Sequence, residues 1–289
     1  MCVCFAVAVS RMRRINEAIG RVTGFQLRRV PHRPALQASS VPSSPDSDRL
    51  GGHTPAGPKI PSDFDDEMAS IIRAVTPFTM TNVDKLHALI TATRYVALNR
   101  IPGDFVECGV WRGGSMHAVA RTLAACGDVG RELFLYDTFE GMTTPTEKDV
   151  RWDGVHPARW LKHSAHNKHD SAIWAYASLE EVEAGFEKVP YPKGRLHLVR
   201  GPVEQTVPGV LPEKIALLRL DTDWYSSTAH ELEHMYDRLV PGGVLLLDDY
   251  AHWRGAREAT DEWLARTGEK LLLVRMGGGR IAVKPGLRS

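Results

Sequence analysis

Cysteine is scarce in this chain, and its four copies, Cys2, Cys4, Cys108 and Cys126, are too scattered to frame a disulfide scaffold. That scarcity fits a reducing compartment. Cys2 and Cys4 admit a minor metal or redox reading, set against the plainer one of a loose tail. No apolar run approaches the roughly 20 residues that span a bilayer. A dominant charge sign is missing too: the net charge is +1, so no global field marks a nucleic-acid binder or a polybasic membrane protein. There are no internal repeats. The apolar stretch at residues 2–9 precedes Arg11, Arg13 and Arg14 instead of following them, and no clear cleavage site comes after it. That order argues against a secretory signal and predicts a cytoplasmic protein.

What is present is ordinary globular material: 289 residues, 43% hydrophobic and 25% charged, enough to bury a real core. Residues from about Pro34 to Asp63 are rich in Ser, Pro and Gly without hydrophobic periodicity. Such a stretch cannot bury enough surface to offset chain entropy. Residues 1–62 therefore read as a tail and disordered linker, and 63–289 as one domain. From Phe64 to Asn99 the pattern is helical, with Thr81 or Asn82 able to cap a helix carrying Leu86, Leu89, Ile90, Ala97 and Leu98. Strand candidates then alternate with helices. The strands are Phe105–Val110, Leu133–Phe139, Arg195–Arg200, Ile215–Asp221, Val244–Asp248, Leu271–Met276 and Arg280–Val283. The helices are Ser115–Ala125, Leu179–Lys188, Ser227–Leu239 and Ala256–Arg266. Short apolar runs separated by helices predict a doubly wound α/β fold with a mostly parallel seven-stranded sheet. Gly277, Gly278 and Gly279 between the last two runs predict a terminal antiparallel hairpin.

The excursion from Gly141 to Lys193 is longer than a crossover needs and carries Trp152, Trp160, Trp174, Tyr176, His156, His163, His166 and His169. Insertions near strand ends act as lids or substrate walls, or are solvated excursions; both readings stand. The histidine spacings match no defensible zinc site.

Two sites carry chemistry. In FVECGVWRGGSMHAV (105–119), Glu107, Gly109, Gly113 and Gly114 lie between a strand and a helix, where backbone can approach a ligand and the helix N-terminus favours an anionic group. Glu107 is able to receive an ammonium group. The next strand ends in Asp137, placed either to accept from ribose hydroxyls or to cap the following turn. Together these indicate a nucleoside-bearing cofactor without separating S-adenosylmethionine from a nicotinamide dinucleotide. The second site follows from LRLDTDWYSST (218–228) and VLLLDDYAHW (244–253). If these strands are parallel neighbours, Asp221, Asp248 and Asp249 converge at their carboxyl ends, with Asp223 beside them or capping the next helix. Crowded carboxylates repel, and a hard divalent cation such as Mg²⁺ relieves the repulsion. Such a cation suits the activation of a hydroxyl nucleophile, with Asp221 as proton acceptor and His252 as the weaker candidate.

These motifs, with GPVEQTVP (201–208), resemble the macrocin O-methyltransferase (TylF-like) family over about Thr79 to Trp263. The resemblance implies a class I methyltransferase (Rossmann-like) fold and Mg²⁺-dependent methylation of hydroxyls on glycosylated natural products. It implies Asp221, Asp248 and Asp249 as metal ligands. Met80, Thr81, Glu107, Gly109, Gly113, Ser115, Asp137, Thr138 and Phe139 would belong to the S-adenosylmethionine site, with Glu204 and Gln205 near the adenine. Gln205 stands where many relatives have Asp. The partner implied is a small-molecule hydroxyl acceptor, and a helix such as Met68–Val75 is suited to support a homodimer. A nicotinamide oxidoreductase and a non-catalytic cofactor-binding relative stay as rivals.

Overall fold

The computed structural model describes residues 57–286; the cysteine pair at 2 and 4 and most of the expected linker lie outside them. Two helices come first, α1 (Asp66–Val75) and α2 (Val83–Leu98). Each begins on a side chain that satisfies an open backbone donor: Asp65 accepts from Met68 N at 2.8 Å, and Asn82 from Lys85 N at 3.0 Å. Such caps are each worth about 1 kcal/mol. The alternating part follows as β1 (Asp104–Cys108), α3 (Gly114–Ala125), β2 (Leu133–Asp137), α4 (Ala158–His163), α5 (Leu179–Phe186), β3 (Leu196–Arg200), α6 (Val203–Thr206), β4 (Ile215–Leu220), α7 (Tyr225–Met235), β5 (Leu239–Leu247), α8 (Arg254–Thr267), β6 (Val274–Met276) and β7 (Gly279–Val283).

The seven strands order β3-β2-β1-β4-β5-β7-β6. The first five are parallel, and β7 runs antiparallel to both β5 and β6. This is the predicted doubly wound sheet, with the antiparallel element at one edge. Sequence boundaries shift by a few residues. The run at Leu271 pairs only from Val274, and the helix expected over 227–239 starts at Tyr225 and gives way to a 3₁₀ turn after Met235.

Apolar runs without alternation arise because the central strands are covered on both faces; all six residues of β4 are buried. One face packs Phe105, Leu133, Leu135, Leu217 and Leu246 under α2, α3 and α5. The other packs Val106, Tyr136, Leu218, Leu245 and Leu247 under α7 and α8. At about 1.5–3 kcal/mol for each fully buried large apolar side chain, these two layers dominate stability and fix the strand ends. The helix α1 buries Met68, Ile71, Ile72 and Val75 with Leu86 and Ile90 of α2 and Ala118 of α3, within its own chain.

Candidate active site

The parallel register of β4 with β5 sets Leu220 beside Leu247, and the pairing runs one bond further, Asp248 N donating to Leu220 O at 2.9 Å. Asp221 therefore meets Asp248 and Asp249 at the carboxyl edge. Carboxylate oxygens of the three lie within 4.8 Å of one another, the one such metal-capable group among the described residues. Asp249 Oδ2 also accepts from Asp223 N at 3.0 Å.

Side-chain alternation explains what stands behind them. Glu107 pairs in register with Arg219, and Arg219 with Leu246. Residues two further along a strand share a face, so Glu107, Arg219, Asp221 and Asp248 crowd one side of the sheet. Arg219 is 2% exposed and bonds Glu107 at 2.5 Å, Asp221 at 2.8 Å, Asp248 at 2.8 Å and Thr81 Oγ1 at 3.1 Å. Lys85, from the first turn of α2, pairs with the other oxygen of Asp248. Two cations are thus shared among four carboxyl groups, Glu107, Asp221, Asp248 and Asp249. Burial raises the Asp221 carboxyl well above the usual range, Asp248 and Asp249 adding to the rise and Arg219 opposing it. Asp248 feels the same burial, yet Arg219 and Lys85 hold it below that range. Glu107 is driven up to about 7 by burial despite Arg219, and Asp223 to about 7 by burial and Asp221.

The glycine turn lies alongside. Gly109 and Gly113 sit at φ +84° and +82°, a region that favours glycine. A Cβ on Gly109 would stand 2.0 Å from Asp221 O, and one on Gly114 2.5 Å from Phe78 O; on Gly113 it would meet Phe186 and His117. At all three the room a side chain would need is taken by protein atoms, and Gly109 lets β1 close against the Asp221 turn while still lining the cleft. Asp137 accepts from Val110 N (2.7 Å) and Trp111 N (3.1 Å) on one oxygen and from Phe139 N (2.8 Å) on the other. It caps the following turn and braces the glycine turn at once. Burial raises its carboxyl against these three bonds.

A cleft of about 400 Å³ joins the two sites. Of the residues expected to form them, Met80, Thr81, Gly109, Ser115, Asp137, Thr138, Glu204, Asp221, Asp248 and Asp249 line it, as does His252. Ser115 Oγ lies 3.3 Å from Thr81 Oγ1, Thr138 Oγ1 donates to Gly141 O, and Glu204 accepts from Ser227 Oγ. Four others do not line it. Glu107 lies behind Arg219 with Oε2 unpartnered, Gly113 packs on Phe186, Phe139 is 3% exposed at φ +53°, and Gln205 faces outward. The excursion after β2 supplies a wall through Met142, Thr143, Ala172, Ile173 and Ala175. Leu161, Trp160, Ile173 and Trp174 seat it on Trp224, Trp253 and Ala256. Two of its histidines serve locally: His156 bonds Thr146 O and His169 packs on Tyr176.

Reasoning from sequence missed Arg219, Lys85 and Asp149. An arginine inside an otherwise apolar buried strand was a readable signal, since a buried charge requires partners. Lys85 and Asp149 carry no such mark, lying on an ordinary helix and in an irregular loop.

A family model described as macrocin-O-methyltransferase (TylF) matches residues 66–273. The 8-demethyl-8-(2,3-dimethoxy-alpha-L-rhamnosyl)-tetracenomycin-C 4'-O-methyltransferase of Streptomyces olivaceus is 35% identical over 190 residues, 66% of this chain and 69% of that protein. The mycinamicin III 3''-O-methyltransferase of Micromonospora griseorubida is 30% identical over 190 residues, 66% and 71% respectively. Among solved structures, the O-methyltransferase NovP superposes with a TM-score of 0.62 at 27% identity, covering 72% of this chain and 82% of its own. Strand order, the carboxylate-lined cleft and a match of this length lead to one assignment: the chain belongs to the macrocin-O-methyltransferase family.

Proposed function

We propose that this O-methyltransferase moves the methyl group of S-adenosylmethionine to a hydroxyl of a glycosylated small molecule, with Asp221, Asp248 and Asp249 holding a divalent cation such as Mg²⁺. The observation that carries the reading is the convergence of those three carboxylates on a cleft shared with the glycine turn. Arg219 and Lys85 are already shared among Glu107, Asp221 and Asp248, and an all-oxygen donor set suits a hard cation. With the cation bound, the site supplies Lewis-acid stabilisation of a developing alkoxide. The relatives' names place their methyl groups on a rhamnosyl 4' oxygen and a mycinamicin 3'' oxygen, which supports a sugar hydroxyl here.

The chain's own residues divide the work. Thr81, Gly109, Ser115, Asp137, Thr138 and Glu204 line the part of the cleft assigned to the donor. Met80 shares that wall, and Glu107, behind Arg219, offers its unpartnered Oε2 to charge balance there. The oxygen of Asp221 not held by Arg219 takes the acceptor's proton. Ile173, Met142 and Trp253 exclude water from the acceptor side, so donor and hydroxyl meet in a fixed orientation. A cytoplasmic location belongs to the same proposal; among the described residues no helix is long and apolar enough to cross a membrane.

The test is a labelled-methyl assay over a panel of glycosides, run on chelator-treated protein and again after Mg²⁺ is restored. Activity should return with the metal. Asp248→Ala and Asp249→Ala should lose at least about 100-fold in rate, the scale of removing an electrostatic stabiliser, while calorimetry still registers S-adenosylhomocysteine and no NADH. Full activity in the chelator would refute the metal; NADH binding in place of S-adenosylhomocysteine would refute the donor.

A further inference from the structure

The helix that follows the Asp221–Asp223 turn has no cap of its own. Trp224 occupies the N-cap position of α7 and contributes no side-chain bond. The open donor at Tyr225 N is instead met by Asp149 Oδ1 at 2.7 Å, from a residue 76 positions upstream in the excursion after β2. The other oxygen of Asp149 accepts from Thr146 N at 2.6 Å and Thr146 Oγ1 at 2.8 Å. Asp149 is fully buried. It also lies where a Cβ on Gly255 would stand 2.2 Å from Oδ1, so the first turn of α8 closes over it.

One carboxylate therefore ties three segments: the lid at 146–149, the turn bearing Asp221 and Asp223, and the start of α8 after Asp248 and Asp249. Neighbouring bonds run the same way. Trp224 Nε1 donates to Thr143 O at 3.1 Å, Arg254 N to Val150 O at 2.8 Å and Trp152 N to His252 O at 2.9 Å. A carboxylate at a helix N-terminus is favoured by the helix dipole as well as by the bond. Asp149 touches none of the cleft.

We propose that Asp149 is a positioning residue for the carboxylate site: it holds the Asp221–Asp223 turn in register with Asp248 and Asp249, and couples that geometry to the lid. The inference rests on the metal reading above. Removing a bond that orients a ligand-bearing segment lowers metal affinity by about 10- to 100-fold. Thr81, Gly109, Ser115 and Asp137, which line the donor's part of the cleft, take no bond from Asp149, and only Glu204 touches α7, through Ser227.

The test measures Mn²⁺ binding directly, from the free-ion paramagnetic resonance signal, alongside calorimetry with S-adenosylhomocysteine on the same full-length protein. Asp149→Asn keeps one acceptor oxygen, so its amide must face either Tyr225 N–H or the N–H and hydroxyl of Thr146. Its Mn²⁺ affinity should fall at least tenfold, with S-adenosylhomocysteine affinity within about twofold and turnover recovered at high Mg²⁺. A second pair guards against misfolding. Tyr225→Pro deletes the N–H together with the ring that meets Glu262 and Lys148, at a first helical position that tolerates proline, and Trp224 already holds the extended backbone (φ −95°, ψ 153°) that proline demands of its predecessor. Tyr225→Ala keeps that N–H and loses the ring. Tyr225→Pro should follow Asp149→Asn, and Tyr225→Ala should bind Mn²⁺ as the parent does. Unchanged Mn²⁺ binding in both Asp149→Asn and Tyr225→Pro overturns the proposal. So does an equal loss of S-adenosylhomocysteine affinity, the mark of general loosening. A parent protein that binds no Mn²⁺ fails the metal reading itself, before any variant is compared.

Discussion

Replacing Arg219 with methionine tests the electrostatic design of the site most directly. The guanidinium is 2% exposed and joined to Glu107, Asp221 and Asp248. Methionine fills similar volume but leaves those carboxylates without their shared cation. Removing one partner of a buried ion pair costs about 3–5 kcal/mol, a large part of the roughly 5–15 kcal/mol that holds a domain folded. The penalty should also depend on pH. Glu107 sits at about 7 with Arg219 present, against an ordinary value near 4.5, and loss of the cation moves it higher. Between the unfolded and folded values the native state binds the extra proton, so stability falls as pH rises, by up to about 1.4 kcal/mol per pH unit. In the parent this decline ends near pH 7; in the variant it continues, and the deficit should widen by roughly 1.5 kcal/mol between pH 7 and about 8.5. Urea unfolding of chelated protein, followed by tryptophan fluorescence at both pH values, measures it. Replacing Glu107 with methionine as well should recover a good part of the loss, because a buried pair exchanged for apolar side chains is often neutral. A deficit below about 1 kcal/mol, or one constant with pH, would refute the reasoning.

Three further expectations follow from particular contacts. His117 lies between Phe78 and Phe186 with Nε2 unpartnered, and burial lowers it to about 4. The unfolded chain binds its proton first as pH falls, so stability should drop by about 2 kcal/mol from pH 7 to 5; His117→Phe should remove that part of the drop in denaturant titrations, and an unaltered acid profile would exclude the assignment. Gly109→Ala forces a Cβ to within 2.0 Å of Asp221 O at φ +84°, and should cost more than about 3 kcal/mol by combined strain and overpacking; a melting temperature near the parent's would show that the β1–β4 approach yields. S-adenosylhomocysteine at about 100 times its dissociation constant should stabilise the fold by about 2.7 kcal/mol, read as a rise in melting temperature that NADH does not reproduce.

Much of the architecture was legible because local chemistry and global packing agree. Apolar runs such as IALLRL and VLLL are strands covered on both faces, Asn82, one of the two cap candidates with Thr81, caps its helix, and the glycines at 277–279 turn an antiparallel hairpin. The meeting of Asp221 with Asp248 and Asp249 was also readable, since two apolar strands ending in acids bring those acids together if they are parallel neighbours.

What only the tertiary structure decided is who neutralises, braces and caps. Arg219 reaches Glu107 across a strand register, Lys85 reaches Asp248 from 163 positions away, and Asp149 caps a helix begun 76 positions later. Asp223, for which capping α7 was one of two readings, leaves that task to Asp149. Periodicity and caps act over a few residues, so their signals sit in the sequence beside the structures they produce. Pairing of buried charges depends on which faces the packed sheet and the excursion after β2 bring together, and separation along the chain carries no trace of it.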